Sequence, residues 1–183
     1  MGLVEKRAYR CLGKKKEELR SKDLKEINSW IKGIDPFKKA GKKTSNQLKK
    51  RFRRYIVENH ALEHLKVKRE GLNEKHKEKI EKIEPKDLEK TGLKMDKDLE
   101  SLLTEAKKEL HKAREENQLL KLIGKKRNDL KQKETDKLIH ETTTEDWEEK
   151  YNQKISRTRL VEIKKRLKFI KNNRRPGRKG RAS

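Results

Sequence analysis

The sequence predicts an all-α fold: elongated helices, as a helical hairpin or loose coiled coil, ending in a disordered basic C-terminal tail. Three observations carry this. Only 29% of the 183 residues are apolar and 47% are charged, against nearly half and about a quarter in an ordinary soluble domain. Apolar side chains recur at three- and four-residue steps in four stretches, the period of a helix buried along one stripe. No alternating run is long enough for a strand, and there is no internal repeat. With so little apolar area to bury, at roughly 25 cal/mol per Å², a single globule is poorly placed to offset chain entropy. Helices packed along a stripe, and segments that order on a partner, are the expected outcomes.

Five segments follow in order. Residues 1–40 form a basic N-terminal helical segment, in which Leu24, Ile27, Trp30, Ile31 and Ile34 keep helical steps until Asp35-Pro36 stops them. Residues 41–84 form a basic amphipathic helix with Thr44 or Ser45 as N-cap. Its apolar face is Leu48, Phe52, Tyr55, Ile56, Leu62 and Leu65, and it continues as a polar helix through Ile80 and Ile83 to a break at Pro85. Residues 85–141 form a charge-balanced helical or coiled-coil segment with Met95, Leu99, Leu102, Ala106, Leu110, Ala113, Asn117 and Leu120 on one stripe. Those steps average near 3.6, so a local hairpin suits them as well as a coiled coil. Gly124 weakens the pattern, and Leu130, Leu138 and Ile139 support it thinly as far as His140. Residues 142–172 form a capped basic amphipathic helix. Thr142 to Glu145 spells a capping box, Glu145, Asp146, Glu148 and Glu149 suit a helix N-terminus, and Trp147, Tyr151, Ile155, Leu160, Ile163, Leu167 and Ile170 supply the stripe. Residues 173–183 are the basic tail.

The charge is segregated. Of the net +24, residues 1–40 hold +6, residues 41–84 hold +7, residues 85–150 hold −1 and residues 151–183 hold +12, the last with 13 basic and one acidic side chain. Solubility alone needs no such division. A polyanion is the partner that suits it, because each neutralised phosphate releases condensed counterions. No stretch approaches the ~20 apolar residues of a membrane span, and the N-terminus lacks the apolar run of a signal peptide. Lys6 stands where a myristoylation motif needs Ser or Thr. The single Cys11 leaves neither an internal disulfide nor a cysteine-rich zinc site. An intracellular protein is expected, nuclear or nucleolar where the cell has a nucleus.

Two groups are candidate nucleic-acid contacts. The first is Lys49, Lys50, Arg51, Arg53 and Arg54, interleaved with Phe52 and Tyr55. Cations beside rings resemble a single-strand surface, but the helical spacing assigns the rings to the core. The second is Lys164, Lys165, Arg166, Lys168 and Lys171 on the last helix, followed by Arg174, Arg175, Arg178, Lys179 and Arg181. Unopposed, that block is costly through self-repulsion. His60-Ala61-Leu62-Glu63-His64 matches the H-x-x-E-H pattern of inverted zinc peptidases. A peptidase also needs a third ligand and a dry, walled pocket, for which the apolar content is too low. No catalytic residue, metal ligand or cofactor is assigned. His76, His111 and His140 are isolated, and Asn117 either sets helix register or partner choice or faces solvent.

The leading expectation is a non-catalytic RNA-binding protein of the ribosome-assembly or rRNA-processing type, with RNA favoured over DNA, using basic helices and tail on the phosphate backbone. Residues 85–141 would serve a protein partner or self-association. A chromatin or other DNA-binding protein is the alternative, and a structural coiled-coil protein that binds acidic protein surfaces is the third.

Overall fold

The computed structural model describes residues 3–29, 42–131 and 133–173. Among them the fold is all-α, without strands: α1 (Leu3–Leu12), α2 (Leu24–Ser29), α3 (Lys42–His64), α4 (Lys77–Glu81), α5 (Pro85–Glu89), α6 (Lys97–Leu122), α7 (Lys133–Glu141), α8 (Thr144–Tyr151) and α9 (Arg157–Asn173). Short 3-10 turns join several of them. The chain divides into two compact units, Met1–Arg69 with Lys75–His111, and Glu70–Glu74 with Lys112–Ser183.

The first unit is built on α3, against which α2, α5 and the 3-10 turn Lys16–Glu18 pack. Leu48, Phe52, Tyr55 and Ile56 are buried as their spacing predicts, and Val57 and Ala61 widen the buried face beyond a single stripe. The Phe52 ring has no exposed surface and lies 4.7 Å from the Tyr9 ring and 5.8 Å from that of Tyr55. It is a core residue, not a stacking platform. Two side chains staple the N-terminal segment to α3. Asn59 donates to the carbonyls of Lys16 and Leu19 at 2.7 and 3.0 Å. Glu5, almost fully buried, accepts from Tyr55 Oη and Arg51, both at 3.2 Å.

At the centre of this unit Glu58 has 0% exposure and three cationic partners: Arg69 at 2.8 Å, Lys16 at 3.0 Å and Arg54 at 3.2 Å. A buried carboxylate is tolerable only when paired in this way. The Lys16 ammonium also lies 4.1 Å from the centre of the Tyr55 ring. Burial lowers the pKa of Lys16 and the nearby Arg69 adds to that effect, while Glu58 opposes both.

The second unit buries Leu119, Leu120, Leu130, Ile139, Trp147, Leu160, Ile163 and Leu167, with Tyr151 and Ile155 against them. The Trp147 and Tyr151 rings meet at 5.1 Å, tilted by 56°, and Tyr151 Oη donates to the Gln118 carbonyl at 2.7 Å. Asn117 is half-buried here and donates to the Leu72 carbonyl at 3.2 Å. Among the described residues Val161 is the one exposed large apolar side chain. Two cores form from a modest apolar content because, among the described residues, almost none of it is left exposed: most is buried and the rest half-buried. The stripe of residues 85–141 is spent in the same way: Leu99, Leu102, Ala106, Leu110, Ala113 and Leu120 are all buried within the chain.

Several helix boundaries correct the sequence reading. The helix of residues 41–84 is not continuous, and α3 begins at Lys42, before either expected cap. It ends at His64 because Lys66 takes a left-handed conformation (φ 53°), with Val67 N–H on the Leu62 carbonyl and Lys66 N–H on that of Glu63. This is a Schellman close, usually made by glycine. Gly13, Gly92 and Gly124 close α1, α5 and α6 by the same pair of bonds. Gly124 therefore ends α6 and does not merely weaken it. Pro85 starts a helix at its first turn, where the missing N–H is harmless, and does not end one. The single helix of residues 142–172 is two, split where Asn152 (φ 49°) closes α8. The capping box lies one residue later than expected, on Thr143 and Asp146. Thr142 is buried and donates back to the Leu138 carbonyl at 2.8 Å, closing α7. Of the N-terminal stripe, Trp30, Ile31 and Ile34 lie outside the described residues, as does the basic tail after Asn173.

Phe52→Ala is expected to destabilise the protein by about 3–5 kcal/mol through a cavity at the centre of the first unit, read as a drop in Tm. Glu58→Gln is expected to cost a similar ~3–5 kcal/mol, because it strands three cations around a neutral group. Denaturant melts of the two variants test both.

Candidate nucleic-acid interface

The cations of α3 do not form one free surface. Lys50 Nζ pairs with Glu105 at 2.5 Å, Arg51 with Glu5 at 3.2 Å, and Arg54 with Glu58 at 3.2 Å. Arg53, only 9% exposed, reaches Asp98 at 2.9 Å and Asp96 at 3.2 Å. Lys49 has no ion pair to a described residue, but it is half-buried beside a hollow lined by Arg53 and Asp98. A phosphate arriving here competes with carboxylates already in place. The sequence counted these charges correctly and could not show that distant acids hold Lys50, Arg51 and Arg53, while Arg54 pairs one turn along its own helix.

The C-terminal group divides in two. Arg166 binds Glu115 at 2.9 Å and Glu116 at 3.2 Å, Arg159 binds Glu115 at 2.9 Å, and Arg127 binds Glu116 at 2.7 Å. The Arg159 and Arg166 pairs fasten α9 to the end of α6, and the Arg127 pair ties down the 3-10 turn that follows α6. Lys164 is structural as well. Its ammonium donates to the carbonyls of His140 at 2.9 Å and Thr142 at 2.5 Å, placing positive charge at the C-terminus of α7, where the helix dipole is negative. Burial lowers its pKa against the pull of Asp146.

Lys165 and Lys168 differ. Both are exposed, and neither has an ion pair to a described residue. With Arg157 and Val161 they occupy positions i, i+4, i+8 and i+11 of α9, one face of that helix. The sequence reading missed Arg157, although a helical wheel of α9 places it there. Lys171 follows on α9, and its side chain lies outside the described residues, as do Arg174, Arg175, Arg178, Lys179 and Arg181. The face borders a groove of about 900 Å³ between α9 and the segment joining α7 to α8. Ile139, Leu160 and Val161 contribute apolar lining, and Arg157, Lys164, Lys165 and Lys168 contribute cations. Cations arranged this way suit an anion held by charge, and charge contacts alone carry no base-reading information.

Of the histidine motif, His60 joins the core, whereas Glu63 is exposed and His64 half-buried. His60 is 2% exposed, with Nδ1 2.9 Å from Thr91 Oγ1. The Thr91 hydroxyl donates to the Leu88 carbonyl at 2.7 Å, so Nδ1 carries the proton that Thr91 accepts. Nε2 is buried without a partner. Among the described residues no group of three or more His, Cys, Asp or Glu side chains is placed to hold a metal. No helix there is long and apolar enough to cross a membrane. No protein-family model matches the chain, nor does any curated protein or solved structure.

Burial depresses the His60 pKa below its ordinary 6.5, with Glu63 opposing and Arg20 reinforcing the shift. The unfolded chain therefore takes up a proton that the folded one resists, and stability falls as pH drops through that ordinary value. The loss approaches 1.4 kcal/mol per pH unit for one full proton. Melts from pH 7.5 down to 5.5 are expected to show that decline in the native protein and a weaker one in His60→Gln.

Proposed function

We propose that this chain is a non-catalytic RNA-binding protein of the ribosome-assembly or rRNA-processing type, acting inside the cell and, where the cell has a nucleus, in the nucleus or nucleolus. It holds phosphates with the outer face of α9 and the basic sequence beyond it. The observation that carries this reading is how the cations are disposed. Carboxylates occupy Lys50, Arg51, Arg53, Arg54, Arg159 and Arg166. Arg157, Lys165 and Lys168 stay exposed at the head of a segment, residues 151–183, with 13 basic side chains and one acidic. Internal pairing uses up charge elsewhere and leaves it in surplus here. A lysine-rich surface without base-reading geometry suits RNA recognised by backbone and shape. Double-stranded DNA offers the same phosphates, so it is the comparison arm of the test.

The test must respect the core. Leu160, Ile163 and Leu167 are buried, so a truncation has to fall after Asn173. Removing residues 174–183 takes away five cations. If each neutralises one phosphate, the slope of log K against log salt flattens by about 3.5 units on single-stranded RNA. Lys165→Gln with Lys168→Gln flattens it by about 1.4 units. Unchanged melting is expected for both variants. Replacing Lys50, Arg51, Arg53 and Arg54 with Gln has the opposite signature, lost stability with a smaller change in slope. A slope that ignores both α9 and the residues after it overturns this reading, and tighter binding to duplex DNA than to RNA assigns the surface to DNA.

A further inference from the structure

We infer that Thr143 is a phosphorylation site for an acidophilic Ser/Thr kinase, and that its phosphate neutralises the groove beside α9. Such kinases read a carboxylate three residues after the target hydroxyl. Only Thr142 and Thr143, of all the serines and threonines in the chain, have one there: Glu145 for Thr142 and Asp146 for Thr143. The structure separates them. Thr142 is 7% exposed, with its hydroxyl committed to the Leu138 carbonyl. Thr143 is exposed in extended backbone (φ −106°, ψ 175°), and Glu145, Asp146, Glu148 and Glu149 are exposed after it.

The second observation is what surrounds the hydroxyl. Thr143 lines the groove, together with five Lys or Arg and three Asp or Glu, a net of +2. A phosphothreonine brings about −1.5 to −2 at neutral pH, which cancels that net. The cations on the α9 side, Arg157, Lys164, Lys165 and Lys168, include those assigned to RNA. In the transfer, the γ-phosphoryl group of ATP forms a bond to Thr143 Oγ1 as its bond to ADP breaks, and the hydroxyl proton leaves to the kinase base. The unmodified hydroxyl accepts from Asp146 N–H at 3.2 Å and donates to Asp146 Oδ2 at 3.0 Å. The phosphoester keeps the acceptor for the N–H but sets two anions side by side, so the Lys164 ammonium becomes the group that balances them. The effect on binding rests on the RNA reading above, whereas the modification does not.

Full-length protein, ATP and a purified acidophilic kinase provide the test, with sites mapped by tandem mass spectrometry. One phosphate per chain on Thr143 is expected. It is absent from Thr143→Ala and retained in Thr143→Ser, which keeps both the helix cap and the hydroxyl. Asp146→Asn, which preserves an acceptor for the Thr143 N–H but removes the charge, slows incorporation about tenfold. Incorporation elsewhere, or none at Thr143 in a chain whose circular dichroism is native, overturns the site. Phosphorylated protein is expected to bind single-stranded RNA about tenfold more weakly at ~0.1 M salt, with a slope flatter by about one unit. Full phosphorylation with unaltered binding overturns the neutralisation. If the unmodified chain binds no RNA, the RNA reading fails while the mapped phosphate still decides the site.

Discussion

Glu58 is the fixed point of the first unit. It lies on the inner side of α3 with no exposed surface, and cations from three places in the chain, Lys16, Arg54 and Arg69, close on it. Removing a carboxylate from water costs several kcal/mol even after relaxation, and only close, hydrogen-bonded partners recover it. The requirement therefore works as a constraint on geometry. It brings the Lys16–Glu18 turn onto α3, holds Lys16 over the Tyr55 ring, and draws the chain after α3 back toward the helix it has just left. In the second unit Glu115 and Glu116 act in the same manner toward Arg127, Arg159 and Arg166. A chain this rich in lysine and arginine uses its few well-placed carboxylates as nuclei around which cationic helices gather.

This arrangement also explains how the two units form from a composition that looks too polar for them. The interior does not end at the apolar residues. Arg53, Arg114, Glu116 and Gln118 are buried along with the leucines, and the aliphatic stems of such side chains cover apolar surface while their ends pair. Hydropathy counts the ends and overlooks the stems.

How much of this could be read beforehand follows the range of the interactions. The all-α class and the buried faces of α3, α6 and α9 come from spacing within single helices, and they stand in the sequence. The position of Phe52 follows from the same local rule. The end of α3 at Lys66 did not, because a lysine in left-handed backbone has no sequence signal comparable to glycine. The break at Asn152 carried a weak one, since asparagine tolerates that conformation and was passed over. The candidate site divides along the same line. Charge counting found Lys165 and Lys168, but which cations are spent on Glu105, Asp98 or Glu115 depends on contacts across 40 residues and more of chain, which no local pattern encodes.

The lysine at the end of α3 carries a conformational cost for the sake of where the chain goes next. Between His64 and Gly71 the sequence holds neither proline nor glycine, and the left-handed backbone of Lys66 costs roughly 1–2 kcal/mol. The turn sends the chain back so that Arg69 reaches Glu58 at 2.8 Å and the Glu109 carbonyl at 3.4 Å. A glycine at that position would make the same turn without the strain. The first unit accepts a penalty in its backbone to complete the ring of cations around its buried carboxylate.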